Sequence, residues 1–192
     1  MTSCIHLNFS SIAIDDLKER FKNEVIKVIY VYFKYQARKR QTSVAITRNL
    51  IKQLVPPDGD IPSDLESLYN ASNSPTPPSS SDFLKLLREY GKGFSSVYAV
   101  FDAFDECGEE NQNDMLGLFV DLEKSGYKLL VSGRHQTPNK LRTGLSNTYT
   151  LELRANISDL KYYVNKRMSE EKISDKNLKT NFLKLVAKVD GM

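Results

Sequence analysis

Val97-Tyr-Ala-Val-Phe-Asp102-Ala-Phe-Asp105-Glu106 is the stretch on which the fold turns. Val97 to Phe101 is a short apolar run, and it stops abruptly at acidic residues. A run of that length with apolar residues at both parities suits a strand covered on both faces. In open α/β sheets, ligands collect beyond the carboxyl ends of the strands. Asp102 leaves the strand at that position.

Outward from this strand, helix and strand patterns alternate. Asn111–Lys124 reads as a helix with Met115, Leu118, Phe119 and Leu122 on one side, and Gly126 ends it. Lys128–Ser132 follows as another strand. Upstream, Val25–Phe33 is a near-continuous apolar run broken only by Lys27, again the pattern of a buried parallel strand. Ser11–Lys22 carries Ile14, Leu17 and Phe21 at helical spacing, and Ser43–Leu54 does the same before Pro56 and Pro57 stop it. Residues 56–81 form a Pro-, Ser- and Asn-rich surface excursion with a short helix at Asp64–Tyr69. A helix capped by Ser81 or Asp82 then runs to Tyr90, where Gly91 and Gly93 break it. Thr148–Leu153 alternates like an edge strand, and Ser158–Met168 and Asn177–Val189 read as helices.

This order predicts an α/β fold, a three-layer αβα parallel sheet. The predicted organisation is a core over residues 1–155, containing the 56–81 excursion, and a helical segment over 156–192.

Composition narrows the function. The net charge of +3 gives no electrostatic reason to expect nucleic acid or a membrane surface as partner. The short basic cluster Arg38, Lys39, Arg40 reads as a solvated loop in preference to an anion site. Cys4 and Cys107 have no metal-ligand spacing and suit a reducing compartment, so a cytoplasmic location is expected. No apolar run is long enough to span a bilayer, and the N-terminal residues, with no basic region before a long apolar stretch, are not expected to act as a secretory signal.

The candidate site gathers on two strand ends. A carboxylate at Asp102 can hold Mg²⁺, mostly through water, because Mg²⁺ prefers oxygen ligands and keeps its hydration. Asp105 and Glu106 follow closely enough to orient or polarise a water. Ser132 and Arg134 end the neighbouring strand in Lys128-Leu-Leu-Val-Ser132-Gly133-Arg134, placed to face a phosphate beside the acidic site.

The acidic strand resembles a Walker B segment of the NACHT class of STAND P-loop NTPases, and the chain is similar more narrowly to nephrocystin-like NACHT domains of fungal receptors. Ser10-Ser-Ile-Ala-Ile-Asp-Asp-Leu-Lys18 resembles the helix after the family's phosphate loop, and Arg48-Asn-Leu-Ile-Lys-Gln-Leu54 its second helix. Asp102-Ala-Phe-Asp-Glu106 matches the Walker B and its acidic extension, and Leu129-Leu-Val-Ser-Gly-Arg134 the sensor strand. Val186-Ala-Lys-Val-Asp-Gly-Met192 resembles a run soon after the core. The resemblance implies magnesium at Asp102, water positioning by Asp105 or Glu106, and γ-phosphate sensing by Arg134. It also implies ATP or GTP as ligand, and signalling through switching between closed and open assemblies.

One departure matters most. The sequence contains no Gly-x-x-x-x-Gly-Lys-Ser/Thr run, whose backbone N–H groups, lysine and hydroxyl would grip phosphates and Mg²⁺. In the register set by Ser10 and Ser11, His6 and Leu7 fall where the lysine and threonine belong, and neither suits those tasks. The family's first strand is expected to be missing, with Cys4–Phe9 partly filling its place. The functional expectation is therefore a truncated NACHT-type signalling NTPase with nucleotide binding weak or lost, Mg and ATP or GTP being its cofactors if any binding survives. The alternative is a non-enzymatic interaction module that docks on full-length NACHT-type proteins.

Overall fold

The computed structural model describes residues 3–56, 59–71, 78–134, 137–142 and 144–152, together with the isolated positions 158, 162, 165, 166, 169 and 181. Residues 1–148 form one compact unit and residues 149–192 a second.

The first unit is built on three parallel strands, β1 (Ile26–Tyr32), β2 (Ser96–Asp102) and β3 (Lys128–Val131), in the spatial order β1-β2-β3. The register pairs Ile26 with Ser96 and Tyr32 with Asp102, and on the other side Tyr98 with Lys128 and Phe101 with Val131. The acidic strand is therefore central. Parallel strands need crossovers, and helices supply them: α2 (Ser43–Leu54), α3 (Ser63–Ala71) and α4 (Ser80–Gly91) between β1 and β2, and α5 (Glu109–Lys124) between β2 and β3. Helix α1 (Ser3–Arg20) precedes β1, and the short α6 (Thr137–Arg142) follows β3.

Side-chain alternation along the strands divides the core in two. Ile29, Val31, Val97, Ala99 and Phe101 face one way and pack with Leu50, Leu87, Met115 and Phe119 of α2, α4 and α5. Val28 and Val100 face the other way and pack with Ile14 of α1. Three layers result, α1 on one face of the sheet and α2, α4 and α5 on the other. Because period two puts Asp102 on the Val100 parity, its carboxylate points toward α1.

The expected helices and strands over 25–132 are present, with α2 at the expected bounds. Three expectations change. Cys4–Phe9 does not fill a strand position; it is the first part of α1, in a segment without Pro or Gly to break the helix. Helix α4 is capped by Ser79, whose hydroxyl accepts from Asp82 N–H while the Asp82 carboxylate accepts from Ser79 N–H, so Asp82 is the third residue of a capping box and neither it nor Ser81 is the cap. Residues 148–152 are irregular, so the alternation in Thr148–Leu153 does not make a strand there, since alternation alone forms no ladder. In the expected C-terminal helices, Ser158, Tyr162, Asn165, Lys166 and Asn181 are helical, and the remaining positions lie outside the described residues.

Candidate functional site at the end of the central strand

The carboxyl ends of β2 and β3 bring together the residues that the sequence singled out. Asp102 is 2% exposed, at the last position of the central strand. Its Oδ1 accepts two hydroxyl hydrogen bonds of 2.5 Å, one from Ser132 beyond β3 and one from Ser10 on α1. Ser132 also accepts from the Ala103 N–H at 3.0 Å, and its own backbone joins the two strand ends: Ser132 N–H to the Phe101 carbonyl at 2.8 Å, and Phe104 N–H to the Ser132 carbonyl at 2.9 Å.

The chain leaves β2 through a strained residue. Ala103 takes φ 55°, ψ 48°, a left-handed conformation that costs an L-residue with a Cβ roughly 1–2 kcal/mol. That bend turns Phe104–Glu106 into a 3₁₀ turn against the tip of β3. Asp105 then meets Arg134 twice, its Oδ1 accepting from Arg134 N–H at 3.2 Å and its Oδ2 pairing with Arg134 Nε at 3.0 Å. Glu106 turns the other way, and its Oε2 accepts from Tyr35 N–H at 3.1 Å, just after β1. Tyr35 opens the basic 3₁₀ turn Tyr35–Arg40, which Asn111 of α5 anchors by donating to the Arg38 carbonyl at 3.0 Å. Buried behind the turn, the Cys107 thiol is pushed up to about 11, first by desolvation and second by the Glu110 charge, and stays protonated at neutral pH.

Asp102, Asp105, Ser132 and Arg134 thus share one end of the sheet, with Glu106 beside them. Ser10 is the residue that sequence reasoning missed. The motif register had placed His6 and Leu7 in the lysine and threonine positions, yet the α1 hydroxyl that meets the strand-end carboxylate is Ser10's. A serine within a helical run carries no signal of its own; only the 92-residue reach to Asp102 gives it meaning.

The donor chemistry here is a carboxylate and two hydroxyl oxygens, with no basic side chain in ion-pair range of Asp102 among the described residues. Hard oxygen donors around a buried, uncompensated negative charge suit Mg²⁺. Phosphates fit less well. Residues 3–20 form one helix, so among the described residues no glycine-rich loop precedes Ser10, and helix-interior N–H groups are already engaged along the axis. No group of three or more His, Cys, Asp or Glu side chains comes together as a metal cluster among the described residues.

These features define a P-loop-like α/β domain whose central parallel strand ends in a buried carboxylate beneath its first helix. The nephrocystin 3 N-terminal family matches residues 8–134, two thirds of the chain and nearly all of the sheet unit, and the chain belongs to that family. No curated protein matches it. Among the described residues, no helix is long and apolar enough to cross a membrane.

Proposed function

We propose that this chain is a NACHT-type nucleotide-switch domain working in the cytoplasm, in which the magnesium end of the site survives and the phosphate grip of these 192 residues is weak or lost. The observation that carries the reading is Asp102: a carboxylate 2% exposed, at the tip of the central strand, held by two hydroxyls and faced by no cation among the described residues. Folding buries such a charge at a cost of several kcal/mol unless something compensates it. A divalent cation would supply that compensation, with Asp102 and the Ser10 hydroxyl as its protein oxygens. Ser132 orients the Asp102 carboxylate from the other side. Asp105 and Arg134 neutralise each other in the resting arrangement, so Arg134 reaches a γ-phosphate only after leaving Asp105. Glu106 orients a water only after leaving Tyr35. In this reading both groups are latched at rest, and hydrolysis is slow or absent.

The test is a titration of fluorescent ATP and GTP analogues with Mg²⁺ against the full chain, its Asp102→Ala variant and its Arg134→Ala variant. Saturation only near ~1 mM nucleotide, about −4 kcal/mol, is expected for the parent. Micromolar binding abolished in Asp102→Ala would show an intact nucleotide site and overturn the weak-grip part of the proposal. The second reading, a non-enzymatic interaction module docking on full-length NACHT-type proteins, is favoured by the engagement of both acidic candidates in structural bonds. It predicts no Mg²⁺-dependent nucleotide signal at any concentration.

A further inference from the structure

Among the described residues β1 is an edge strand, and its free edge is treated unequally along its length. Odd-numbered residues turn their backbone toward β2, as the Phe33 N–H to Asp102 carbonyl bond (3.0 Å) and the Ser95 N–H to Val25 carbonyl bond (2.7 Å) show. Even-numbered residues turn theirs outward. At the carboxyl half, two glutamine side chains stand in for a missing strand. Gln53 of α2 accepts from Tyr30 N–H at 2.9 Å and donates to the Tyr30 carbonyl at 2.8 Å. Gln41 donates to the Tyr32 carbonyl at 3.4 Å and accepts from Lys34 N–H at 3.1 Å. A side-chain amide is chemically a peptide unit, and here it blocks edge pairing as an added strand would.

The amino half has no such side-chain cover: the outward Ile26 N–H turns back onto the Glu24 carbonyl at 2.8 Å, and the groups beyond it are left open. Val28 is the next outward-facing residue, and neither its N–H nor its carbonyl meets a partner from outside the sheet among the described residues. It lines a cleft of about 490 Å³ whose charged rim is Lys18, Lys22, Lys27 and Lys52 against Glu24 alone. Lys22 is bonded to Glu19, while Lys18 and Lys27 lie over the rings of Tyr30 (5.9 Å) and Phe94 (5.8 Å) and meet no carboxylate among the described residues.

We propose that this cleft receives an extended, acidic segment of a partner protein, which adds a strand on the Ile26 carbonyl and the Val28 N–H and carbonyl and places carboxylates against Lys18, Lys27 and Lys52. Main-chain bonds to Val28 supply the anchor, as in other edge-strand additions, and the lysines select the partner by charge. Gln53 sets the limit of the added strand at Tyr30. The site lies on the sheet edge, apart from the Asp102 carboxylate, and does not depend on nucleotide.

The probe is fluorescein-labelled Glu-Val-Glu-Val-Glu-Val-Glu, followed by anisotropy with the full chain. Saturable binding is expected, with slowed hydrogen exchange at the Val28 amide. The Lys27→Glu/Lys52→Glu variant is expected to bind about tenfold more weakly, given the worth of exposed charge pairs. Gln53→Ala, which frees the Tyr30 backbone, is expected to bind about fivefold more tightly for the extra main-chain bonds. A peptide with proline at the central valine, which lacks that N–H donor, is expected to lose binding. The proposal is overturned if the proline peptide or a DNA oligonucleotide of equal charge binds as well as the probe, if the lysine reversal or the Gln53 change leaves affinity unaltered, or if no saturation occurs.

Discussion

Replacing Asp102 by Asn tests whether its carboxylate is kept for a cation or for the fold. The substitution preserves shape and still offers a carbonyl oxygen to the Ser10 and Ser132 hydroxyls, which approach to 2.5 Å. Each hydrogen bond falls from the charged to the neutral class, a loss of roughly 1 kcal/mol apiece, or about 2 kcal/mol together. Against this stands the burial of a charge that is 2% exposed and has no ion-pair partner among the described residues. Its removal returns several kcal/mol, taken as about 3–4. The net expectation is that Asp102→Asn is more stable than the parent by about 1–2 kcal/mol in EDTA, a rise in Tm of roughly 2–8 °C for a unit of this size. Thermal unfolding followed by circular dichroism measures it. Millimolar MgCl₂ should raise the parent's Tm and leave the variant's unchanged, because only the parent's folded state binds the ion. A lower Tm for Asp102→Asn in EDTA would refute the reasoning, since the carboxylate would then be a structural acceptor whose bonds outweigh its burial. An equal response of both proteins to Mg²⁺ would place the cation elsewhere.

Three other outcomes follow from the same geometry. Ala103→Gly relieves a left-handed φ of 55° at the strand end; less the entropy that glycine adds to the unfolded chain, a gain of about 0.5–1 kcal/mol is expected in the urea midpoint. Gly91→Ala would drive a Cβ into the Tyr127 hydroxyl, which donates to the Leu87 carbonyl at 2.6 Å, so denaturant unfolding should report a loss of about 1–3 kcal/mol, partly recovered when Tyr127→Phe is added. Burial raises Cys107 from 9.0 to about 11 and Tyr127 from 10.0 to about 12. Both groups stabilise the fold fully below those ordinary values. As pH rises the unfolded chain ionises first, and stability falls through pH 9–11 for Cys107 and pH 10–12 for Tyr127. The expected loss is about 1–2 kcal/mol for each, and Cys107→Ala should flatten the first part of the alkaline profile.

Local chemistry was enough to read most of the framework. Apolar runs at Val25–Phe33 and Val97–Phe101, the helical spacing in Ser43–Leu54, and the break at Gly91 each act within a few residues, where propensity and periodicity carry information. The acidic end of β2 was legible for the same reason: a charge that follows a buried run must lie at the strand's end. The cap of α4 and the helix over Cys4–Phe9 were local misreadings, whereas at Thr148–Leu153 a distant partner was the deciding factor. Thr148–Leu153 alternates as a strand should, but a strand exists only where a neighbour's backbone completes its ladder, and residues 148–152 are irregular.

Sequence alone therefore determined the α/β order and the placing of Asp102 at a strand tip, because both follow from which residues can be buried next to which along the chain. Tertiary structure alone decided that β2 is central, that Ser10 reaches Asp102 across 92 residues, that Arg134 is spent on Asp105, and that Gln53 and Gln41 guard one half of a sheet edge and leave Val28 open. Those contacts join segments with no common period or spacing, and a hydroxyl, an amide or an arginine looks the same in a sequence whatever it will meet when the chain folds.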